Sequence, residues 1–368
     1  MNRLRVMYVV KNFPQISETY IKTEIEAVQE HCELQVIATK KAALACKNHA
    51  PFRHIEDLGA IREAIEEYRP HVLHSHWLHS ARLLGKLARR TGVPFTVRAH
   101  SFDSLWDEQK SGSGWGVLFR RYRVPRHIRR AVDLINDELC LGILAFPFAR
   151  ARLEGAGIRG DKIVDCYPVV NFRRFYNRSP NGDAVMNVGA ALAKKKMDDF
   201  IELGARLPHL RFNLYALSYN VESLRAINAA RGNPVNIVPP VELEDMPAEY
   251  KKHRWLVYTA SKTGRVGWPM AIAEAQASGV GVCMANVRPD LREYVGSAGY
   301  LFNSLDEAAQ IITRPFSDEL RELGFRQAMK SDVFEHRKLL FGLWEKALPG
   351  AFSSILPRRS AQERLTSA

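Results

Sequence analysis

Short apolar runs of strand length alternate with longer stretches of helical periodicity along the first half of the chain. The predicted strands are residues 5–10, 34–38, 72–76 and 95–99, and the predicted helices are residues 18–30, 58–68 and 81–90. This alternation indicates a parallel sheet with crossover helices, because parallel strands need a long connection between them. The first half is therefore predicted to form a Rossmann-like unit.

The same rhythm restarts after residue 180. The predicted strands are residues 185–188, 211–216, 235–238, 255–259 and 280–285, and the predicted helices are residues 197–207, 221–230, 246–252 and 270–277. Between residues 168 and 180 lies a polar segment that fits neither period, and this indicates a domain boundary.

We therefore predict an α/β protein with two Rossmann-like domains whose parallel sheets face a central cleft. The predicted N-terminal domain covers residues 1–170, the C-terminal domain residues 171–348, and a polar tail residues 349–368. A chain of 368 residues is long enough for two such cores. Ligands of such sheets lie beyond the carboxyl ends of the strands, so polar residues at strand ends are the candidates for function.

Cysteine usage and the apolar runs restrict the compartment. The chain has five cysteines, an odd number, and none forms a C-x-x-C spacing, so neither a disulfide framework nor a zinc site is indicated. No apolar run approaches the roughly 18 residues that a membrane span needs. The first apolar run is also too short for the core of a signal peptide. We expect a cytoplasmic protein with reduced thiols.

The net charge of +13 implies attraction to an anion, which could be nucleic acid, an acidic membrane face or a phosphorylated substrate. Nucleic acid rests on the net charge alone, so we expect no such partner. Arginines interleaved with aromatic residues crowd the segment 104–130, namely Trp115, Phe119, Arg120, Arg121, Tyr122, Arg123, Arg126, Arg129 and Arg130. This segment suits peripheral contact with an anionic membrane, and it equally suits a solvated helix.

Polar residues follow the strand ends of the first half. Ser17 is the predicted N-cap of the first helix and leaves the next N–H groups directed into the cleft. His100 follows the strand 95–99 and is the candidate catalytic residue, because an imidazole can donate a hydrogen bond or exchange a proton near neutral pH. His76 and Asp103 are candidates on the acceptor side of the cleft.

Histidines also raise the question of a metal ion. His74 and His76 share one face of a predicted strand, which would suit a metal. No carboxylate or thiol lies close to them in sequence to complete the ligand shell. We therefore expect no metal site and no cofactor.

Cations follow the first predicted strand of the second half. Lys194 and Lys195 come shortly after Gly189, where their ammonium groups would lie beside a bound diphosphate. Arg265 is a second candidate for the same phosphates. A solvated charge run is the alternative interpretation of the lysines.

One carboxylate, Glu274, stands on a predicted helix of small residues that begins after Gly267 and a turn-forming stretch. Small side chains let a helix pack close to a sheet, and the N–H groups of its first turn can receive an anion. Glu274 would then be available to accept hydrogen bonds from neutral hydroxyls such as those of a ribose.

Together and in this order, the motifs resemble those of family 4 glycosyltransferases with the GT-B fold, over nearly the whole chain. The first-half segments are Phe13-Pro14 with Ser17-Glu18-Thr19, similar to an F-P-x-x-S-E-T opening, and the strand-end motifs His74-Ser75-His76 and His100-Ser101-Phe102-Asp103. The second-half segments are the interdomain element Asn171 to Phe175, Gly189 with Lys195, similar to a phosphate motif, and residues 267–279, similar to the second half of an E-x7-E signature.

The resemblance implies transfer of a sugar from a nucleotide-diphosphate sugar to a glycan, a lipid-linked glycan or a small molecule. It further implies retention of the anomeric configuration and no metal ion. By the same resemblance, Lys195 and Arg265 would hold the diphosphate, and Glu274 would bind the nucleotide ribose. His100 would contact the donor sugar near the reacting carbon, and the backbone around Ser17 would approach the phosphates from the other domain.

Two positions depart from the pattern of the family. Ala190 stands where the phosphate motif has an arginine, and Val266 stands where the first Glu of E-x7-E contacts the donor sugar. The first change weakens the diphosphate clamp, and the second removes an acceptor for a sugar hydroxyl. Two hypotheses stay open, a transferase with an altered donor and a catalytically impaired partner that keeps the fold and binds nucleotide sugars.

Overall fold

The first half of the protein forms a parallel sheet of seven strands in the order β3-β2-β1-β4-β5-β6-β7. The computed structural model describes residues 3–106, 124–263 and 265–356. The strands are β1 (Leu4–Asn12), β2 (Cys32–Lys40), β3 (Phe52–His54), β4 (Val72–His76), β5 (Phe95–Arg98), β6 (Cys140–Ala145) and β7 (Ile163–Asp165). Every residue of β4 is buried, as expected for a parallel strand covered by helices on both faces.

Helices and 3₁₀ turns connect these strands. The helices are α1 (Thr19–Gln29), α2 (Leu58–Tyr68), α3 (Ala81–Thr91), α4 (Ser101–Ser104), α5 (Arg126–Arg129), α6 (Val132–Ile135) and α7 (Arg150–Gly155). The turns lie at Ile16–Glu18, Leu78–Ser80, Pro147–Ala149 and Gly160–Lys162. Helix α2 begins where the Asp57 carboxylate accepts a hydrogen bond from the Ala60 N–H at 2.8 Å, and α3 ends at Gly92 with a φ of 72°.

The second half forms a parallel sheet of six strands in the order β10-β9-β8-β11-β12-β13. Its strands are β8 (Ala184–Ala191), β9 (Phe212–Tyr219), β10 (Asn236–Ile237), β11 (His253–Tyr258), β12 (Gly281–Ala285) and β13 (Gly299–Phe302). The helices are α8 (Phe172–Phe175), α9 (Met197–Arg206), α10 (Val221–Ala230), α11 (Met246–Lys251), α12 (Met270–Ala277), α13 (Leu291–Val295), α14 (Leu305–Ile312), α15 (Asp318–Met329) and α16 (Val333–Trp344). Short 3₁₀ turns lie at Ala193–Lys195 and Gly296–Ala298.

The last helix, α16, returns to the first half and packs against α1 and β6. At its end the Trp344 Nε1–H donates a hydrogen bond to Thr96 Oγ1 on β5 at 2.9 Å. One hydrophobic cluster accordingly runs from Tyr8 on β1 through Trp344 to Ile272 on α12. The predicted domain limits, 1–170 and 171–348, stay predictions, and residues 357–368 of the predicted tail lie outside the described residues.

Two parallel sheets confirm the predicted alternation. Helices α2, α10 and α12 and strand β4 have the predicted bounds. The sequence pattern misses β3, β6, β7 and β13. Strands β7 and β13 are short and lie at sheet edges, so pairing with a neighbour rather than an extended period defines them. Among the helices of the described residues, none is long and apolar enough to cross a bilayer.

Candidate functional site

A cavity of about 370 Å³ lies between the two sheets, at the carboxyl ends of their strands. The segments after β1, β4 and β5 line it from the first half. The segment after β8, the ends of β9 and β11 and the start of α12 line it from the second half. This is the place where open α/β sheets bind their ligands.

Most of the residues that the sequence singles out come together at this cavity. Those that line it are Ser17, His100, Gly189, Lys194, Lys195, Gly267 and Glu274. His76, Asp103 and Arg265 are not lining residues. His76 and Asp103 are buried next to His100, and the Arg265 carbonyl accepts a hydrogen bond from Lys194 Nζ at 3.0 Å.

The segment after β1 differs from its predicted form. The prediction that Ser17 caps the first helix is wrong, because the 3₁₀ turn Ile16–Glu18 precedes α1 and Glu18 occupies the N-cap position without a side-chain hydrogen bond. Ser17 Oγ instead lies 3.4 Å from Gln15 Nε2. The N-terminus of α1 still lines the cavity, through Thr19 and Tyr20.

Glu18 is a cavity residue whose role the sequence does not indicate beyond its motif. Its Oε2 is buried and has no hydrogen-bond partner among the described residues. Burial raises the pKa of Glu18 to about 7, although Lys11 and His79 oppose the shift. The side chain can therefore be protonated or ionised near neutral pH, and one of its oxygens is available to a ligand.

Lys195 occupies a space that only a glycine at position 189 leaves open. A Cβ on Gly189 would lie 2.0 Å from Lys195 Nζ, and Gly189 has a φ of 137°, which side chains rarely allow. Thr259 Oγ1 donates a hydrogen bond to the Lys195 carbonyl at 2.7 Å and fixes the backbone. Burial and the neighbouring charge of Lys194 lower the pKa of Lys195 to about 8. The ammonium group is thus held in the cavity and poorly neutralised.

The two neighbouring lysines point in different directions. Lys194 lines the cavity, and burial together with the charge of Arg265 lowers its pKa. Lys196 instead pairs with Asp198, with Nζ 2.9 Å from Oδ2. The cationic side chains of the loop therefore divide into two that line the cavity and one that is paired outside it.

Glu274 lies at the cavity on the helix of small residues, and only 8% of it is exposed. Tyr250 donates a hydrogen bond from its hydroxyl to Oε2 at 2.8 Å, and Oε1 has no hydrogen bond to the described residues. Burial raises the pKa of Glu274 to about 7, against the opposing effects of Tyr250, Arg174 and Lys195. One carboxylate oxygen is therefore fixed and the other is left for a ligand.

Gly267 is the point where the second half touches the segment after His100. A Cβ on Gly267 would lie 1.6 Å from Ser101 Oγ and 2.0 Å from Ser101 Cβ. No side chain fits such a gap, so glycine is needed here for close approach rather than for a special backbone angle. The contact brings α4 and the start of α12 together at the cavity.

An aromatic group holds the segment in front of α12. The ring of Trp268 stacks on Tyr294 at a centroid distance of 4.9 Å, and it contacts Phe146 and Tyr167 from the first half at 5.9 and 5.0 Å. Its Nε1–H donates to Asp290 Oδ2 at 2.8 Å. The side chain therefore joins both halves beside Gly267.

His100 is the cavity end of a series of buried polar side chains. Its Nε2 lies 3.0 Å from His76 Nδ1, and the rings of Tyr20 and Trp77 pack against it with centroids 4.5 Å away. Burial, with added repulsion from Arg98, holds the pKa of His100 well below its ordinary value. The imidazole is therefore neutral around pH 7, and the expected proton exchange near neutrality is disfavoured.

Behind His100, the carboxylate of Glu24 on α1 is buried beside two histidines. Its Oε1 lies 3.1 Å from His74 Nε2 and 3.2 Å from His76 Nε2. Within the described residues these three side chains form a group that could hold a metal ion. The argument that no carboxylate accompanies the histidines is therefore wrong in space, because α1 supplies one from far away in sequence. The expected absence of a metal stays a prediction.

Asp103 has a different setting from the one its candidate role would suggest. Its side chain is buried, and its Oδ2 accepts hydrogen bonds from the N–H groups of Leu78 at 2.8 Å and His100 at 3.2 Å. It ties the end of β4 to the start of α4. A direct contact of Asp103 or His76 with an acceptor stays a prediction.

The predicted membrane-facing segment can be described only in part. Its residues from Trp115 to Arg123 lie outside the described residues. Arg126 and Arg130 are exposed at a second opening that His79 and Arg82 also line. Membrane contact stays a prediction.

The family model for the glycosyl transferase 4-like domain matches residues 25–135. No curated protein sequence matches the chain. The domain match agrees with the predicted resemblance to family 4 glycosyltransferases.

Solved structures match nearly the whole chain. HepE of Anabaena in complex with UDP superimposes with a TM-score of 0.71 at 14% identity, over 93% of this chain and 100% of that chain. Sucrose-phosphate synthase of Thermosynechococcus elongatus gives 0.69 at 15% identity, over 94% and 99%. AviGT4, a glycosyltransferase involved in avilamycin A biosynthesis, gives 0.61 at 16% identity, over 94% and 98%. These likenesses confirm the predicted GT-B fold.

The contact between Gly267 and Ser101 predicts a specific rescue. Gly267→Ala should lower the free energy of unfolding by about 1–3 kcal/mol through overpacking, and adding Ser101→Gly should restore most of the loss because the clashing side chain is gone. Urea denaturation of the single and double variants measures both. Gly342→Ala is the control, since a Cβ there meets nothing within 4 Å. A Gly267→Ala protein as stable as the wild type would contradict the close contact.

The buried carboxyl group of Glu274 predicts a pH-dependent stability. The folded state binds this proton more tightly than the unfolded chain, so stability should be greatest at low pH and fall as the pH rises from about 4.5 to 7. Glu274→Gln keeps an acceptor for Tyr250 and removes this titration. Unfolding free energies at pH 5 and pH 8 should show a relative gain for the variant of about 2.5 kcal/mol at the higher pH. Parallel pH profiles for the two proteins would refute the shift.

Proposed function

We propose that this chain, which carries a glycosyl transferase 4-like domain on the GT-B fold, transfers a sugar from a nucleoside-diphosphate donor to an acceptor. The observation that carries the proposal is the cavity between the sheets, where Lys195 and Glu274 of one half meet His100 and the N-terminus of α1 of the other. HepE, which has this fold, was solved with UDP and with UDP-glucose, and this supports a nucleotide donor.

The diphosphate belongs beside Lys195 in this proposal. Gly189 lets the backbone and the ammonium group approach closely, and Lys194 adds a second cation to the cavity. Arg265 contributes charge from the neighbouring loop, as its effect on Lys194 indicates. The first-turn N–H groups of α1, next to Ser17, complete the anion site from the other half, because helix N-termini favour negative charge.

Glu274 binds the ribose of the nucleotide. Tyr250 holds one carboxylate oxygen, and the other is left to accept hydrogen bonds from ribose hydroxyls. Ionisation of the buried carboxyl strengthens these bonds, because charged acceptors form stronger hydrogen bonds than neutral ones.

Catalysis rests on the departing diphosphate. Negative charge grows on it as the glycosidic bond breaks, and Lys194 and Lys195 are placed to stabilise that charge without reorganisation. The step as proposed needs no metal ion. His100 contacts the donor sugar near the reacting carbon, and retention of the anomeric configuration follows from the resemblance to family 4 alone.

The donor sugar should differ from that of better-matched relatives. Val266 and Ala190 line the cavity with apolar side chains at the two positions where the family has an acid and an arginine. Glu18 supplies a carboxyl oxygen without a partner from the opposite half and is placed to accept a hydrogen bond from a sugar or acceptor hydroxyl. The acceptor is a glycan, a lipid-linked glycan or a small molecule, and a lipid-linked acceptor would agree with the proposed peripheral contact with an anionic membrane.

The presence of Val266 in place of an acid also favours a second candidate function. A chain that lost the acid and the arginine could bind nucleotide sugars as a catalytically impaired partner of another transferase. Both candidates predict ligand binding, and only the first predicts turnover by the isolated chain.

Nucleotide binding is tested by thermal protection. Unfolding of the purified protein is followed with a panel of nucleoside diphosphates and nucleotide sugars, where ligand at 100 times its dissociation constant adds about 2.7 kcal/mol of stability. Lys195→Ala should weaken the affinity for the protecting ligand at least tenfold and so reduce the protection. Lys196→Ala is the matched control and should leave the affinity unchanged, because Lys196 pairs with Asp198 outside the cavity. If no member of the panel protects the protein, both candidate functions are contradicted.

Turnover is tested by hydrolysis or transfer of whichever nucleotide sugar protects the chain. His100→Ala should lower the rate more than the affinity, since His100 is proposed to act near the reacting carbon. Addition of a chelator should leave the rate unchanged if the lysines alone hold the diphosphate. Binding without any turnover, even with candidate acceptors, would favour the impaired-partner function.

A further inference from the structure

The buried series that ends at His100 begins with a balanced pair of charges. Arg98 Nε lies 2.5 Å from Glu24 Oε2, and both side chains are almost fully buried. One negative and one positive charge therefore cancel within this part of the core. A further cation there would lack a partner, and an unpaired buried charge is strongly destabilising.

The carboxylate decides where the proton of His76 lies. His76 Nε2 is 3.2 Å from Glu24 Oε1, an ion-pair distance, although the geometry falls short of a hydrogen bond. A lone pair on Nε2 at this distance would face a carboxylate oxygen and be repelled, whereas an N–H at Nε2 is attracted. Since a second buried cation is disfavoured, His76 carries this one proton, and its Nδ1 keeps a lone pair.

The hydrogen bond between His76 and His100 then determines which nitrogen of His100 carries the proton. Its Nε2 lies 3.0 Å from His76 Nδ1. Because His76 Nδ1 has a lone pair, the proton between the rings must belong to His100 Nε2. The Nδ1 of His100 then has no proton, and the ring has no second N–H to offer.

A second series of contacts, through His74, also leads to Glu24, with each donor on the side away from the carboxylate. This second series does not reach the cavity. Trp344 Nε1–H donates to Thr96 Oγ1 at 2.9 Å, and Thr96 Oγ1 lies 2.8 Å from His74 Nδ1. His74 Nε2 lies 3.1 Å from Glu24 Oε1. His74 thus has the same carboxylate partner as His76 and a similar burial, yet its other nitrogen leads to β5 and α16.

We propose that Glu24 and His76 are positioning residues that fix His100 as the neutral tautomer with its proton on Nε2. The proposal rests on the function assigned above only in giving His100 a place beside the donor sugar. His100 then serves the reaction as an uncharged ring of fixed orientation, with one nitrogen bound to His76 and the other able only to accept. It does not supply a proton from Nδ1.

A metal ion bound by Glu24, His74 and His76 is the competing explanation of the same group. Metal ligation would need lone pairs on both Nε2 atoms. It would also add positive charge next to Arg98, which already neutralises Glu24. The charge balance favours protons at these positions rather than a metal.

Nitrogen NMR of the full-length protein reports the tautomer directly. Protein labelled with ¹⁵N-histidine is examined through long-range proton–nitrogen couplings, and the His100 signals are assigned by their loss in His100→Phe. We expect a pyrrole-type shift for Nε2 and a pyridine-type shift for Nδ1. The reverse pattern, or two pyrrole-type nitrogens, would overturn the proposal.

Variants separate positioning from general stability. His76→Leu removes the acceptor and should release His100 into a mixture of tautomers, whereas His76→Asn keeps an acceptor near the position of Nδ1 and should retain the wild-type pattern. His74→Asn is the matched control, because it disturbs the same carboxylate on the branch that does not reach His100. A changed His100 tautomer in His74→Asn, or an unchanged one in His76→Leu, would contradict the proposal.

Glu24→Gln completes the series and should also mix the tautomers of His100; if it fails to fold, the variants of His74 and His76 decide alone. Elemental analysis of the purified wild type accompanies the spectra, and one bound metal ion per chain would overturn the proposal. The tautomer is read without substrate. Failure to bind any nucleotide would therefore refute the proposed function but not the proposed tautomer of His100. A different tautomer of His100 would refute the positioning proposal but not the proposed function.

Discussion

The ion pair between Glu24 and Arg98 is the interaction on which the first half of the site depends. Burial by itself would raise the pKa of the Glu24 carboxyl group, but the guanidinium beside it holds the pKa well below its ordinary value. The charged carboxylate then joins α1 to the ends of β4 and β5, where His76 and Arg98 lie. Trp77 and His100 follow these strand ends and line the cavity. Their position is therefore set by a buried charge pair, of which Arg98 itself also lines the cavity.

The second half can approach the same cavity closely because it has glycines at two positions. Gly189 leaves the space that Lys195 Nζ fills, and Gly267 admits Ser101 of the other half. Close approach of backbone to charged groups is what an anionic ligand requires, since it replaces lost hydration by fixed donors. The two halves thus contribute different chemistry. The first supplies a neutral imidazole and a helix N-terminus, and the second supplies cations and a carboxylate with one oxygen left over.

Strand-end chemistry could be predicted from the sequence because hydrophobic periodicity shows where strands end. Lys195 and His100 follow predicted strand ends, Glu274 stands on the predicted helix of small residues, and all three line one cavity. Glu24 could not be found in this way, since a carboxylate in an amphipathic helix looks like a solvated residue until the helix is packed on the sheet. The predicted cap at Ser17 is wrong because a 3₁₀ turn and an N-cap share the same polar residues. Short edge strands such as β7 cannot be predicted in this way, because pairing with a neighbouring strand rather than a hydrophobic period defines them.

The central claim is that a nucleoside diphosphate lies between the two sheets, with its phosphates on Lys195 and its ribose on Glu274. A crystal structure of the chain with a bound nucleoside diphosphate tests this most directly. The account predicts phosphate oxygens within hydrogen-bonding distance of Lys195 Nζ, facing the N-terminus of α1, and ribose hydroxyls bonded to the Glu274 carboxylate. A nucleotide bound outside the cavity, or inside it with its phosphates away from Lys195, would contradict the account.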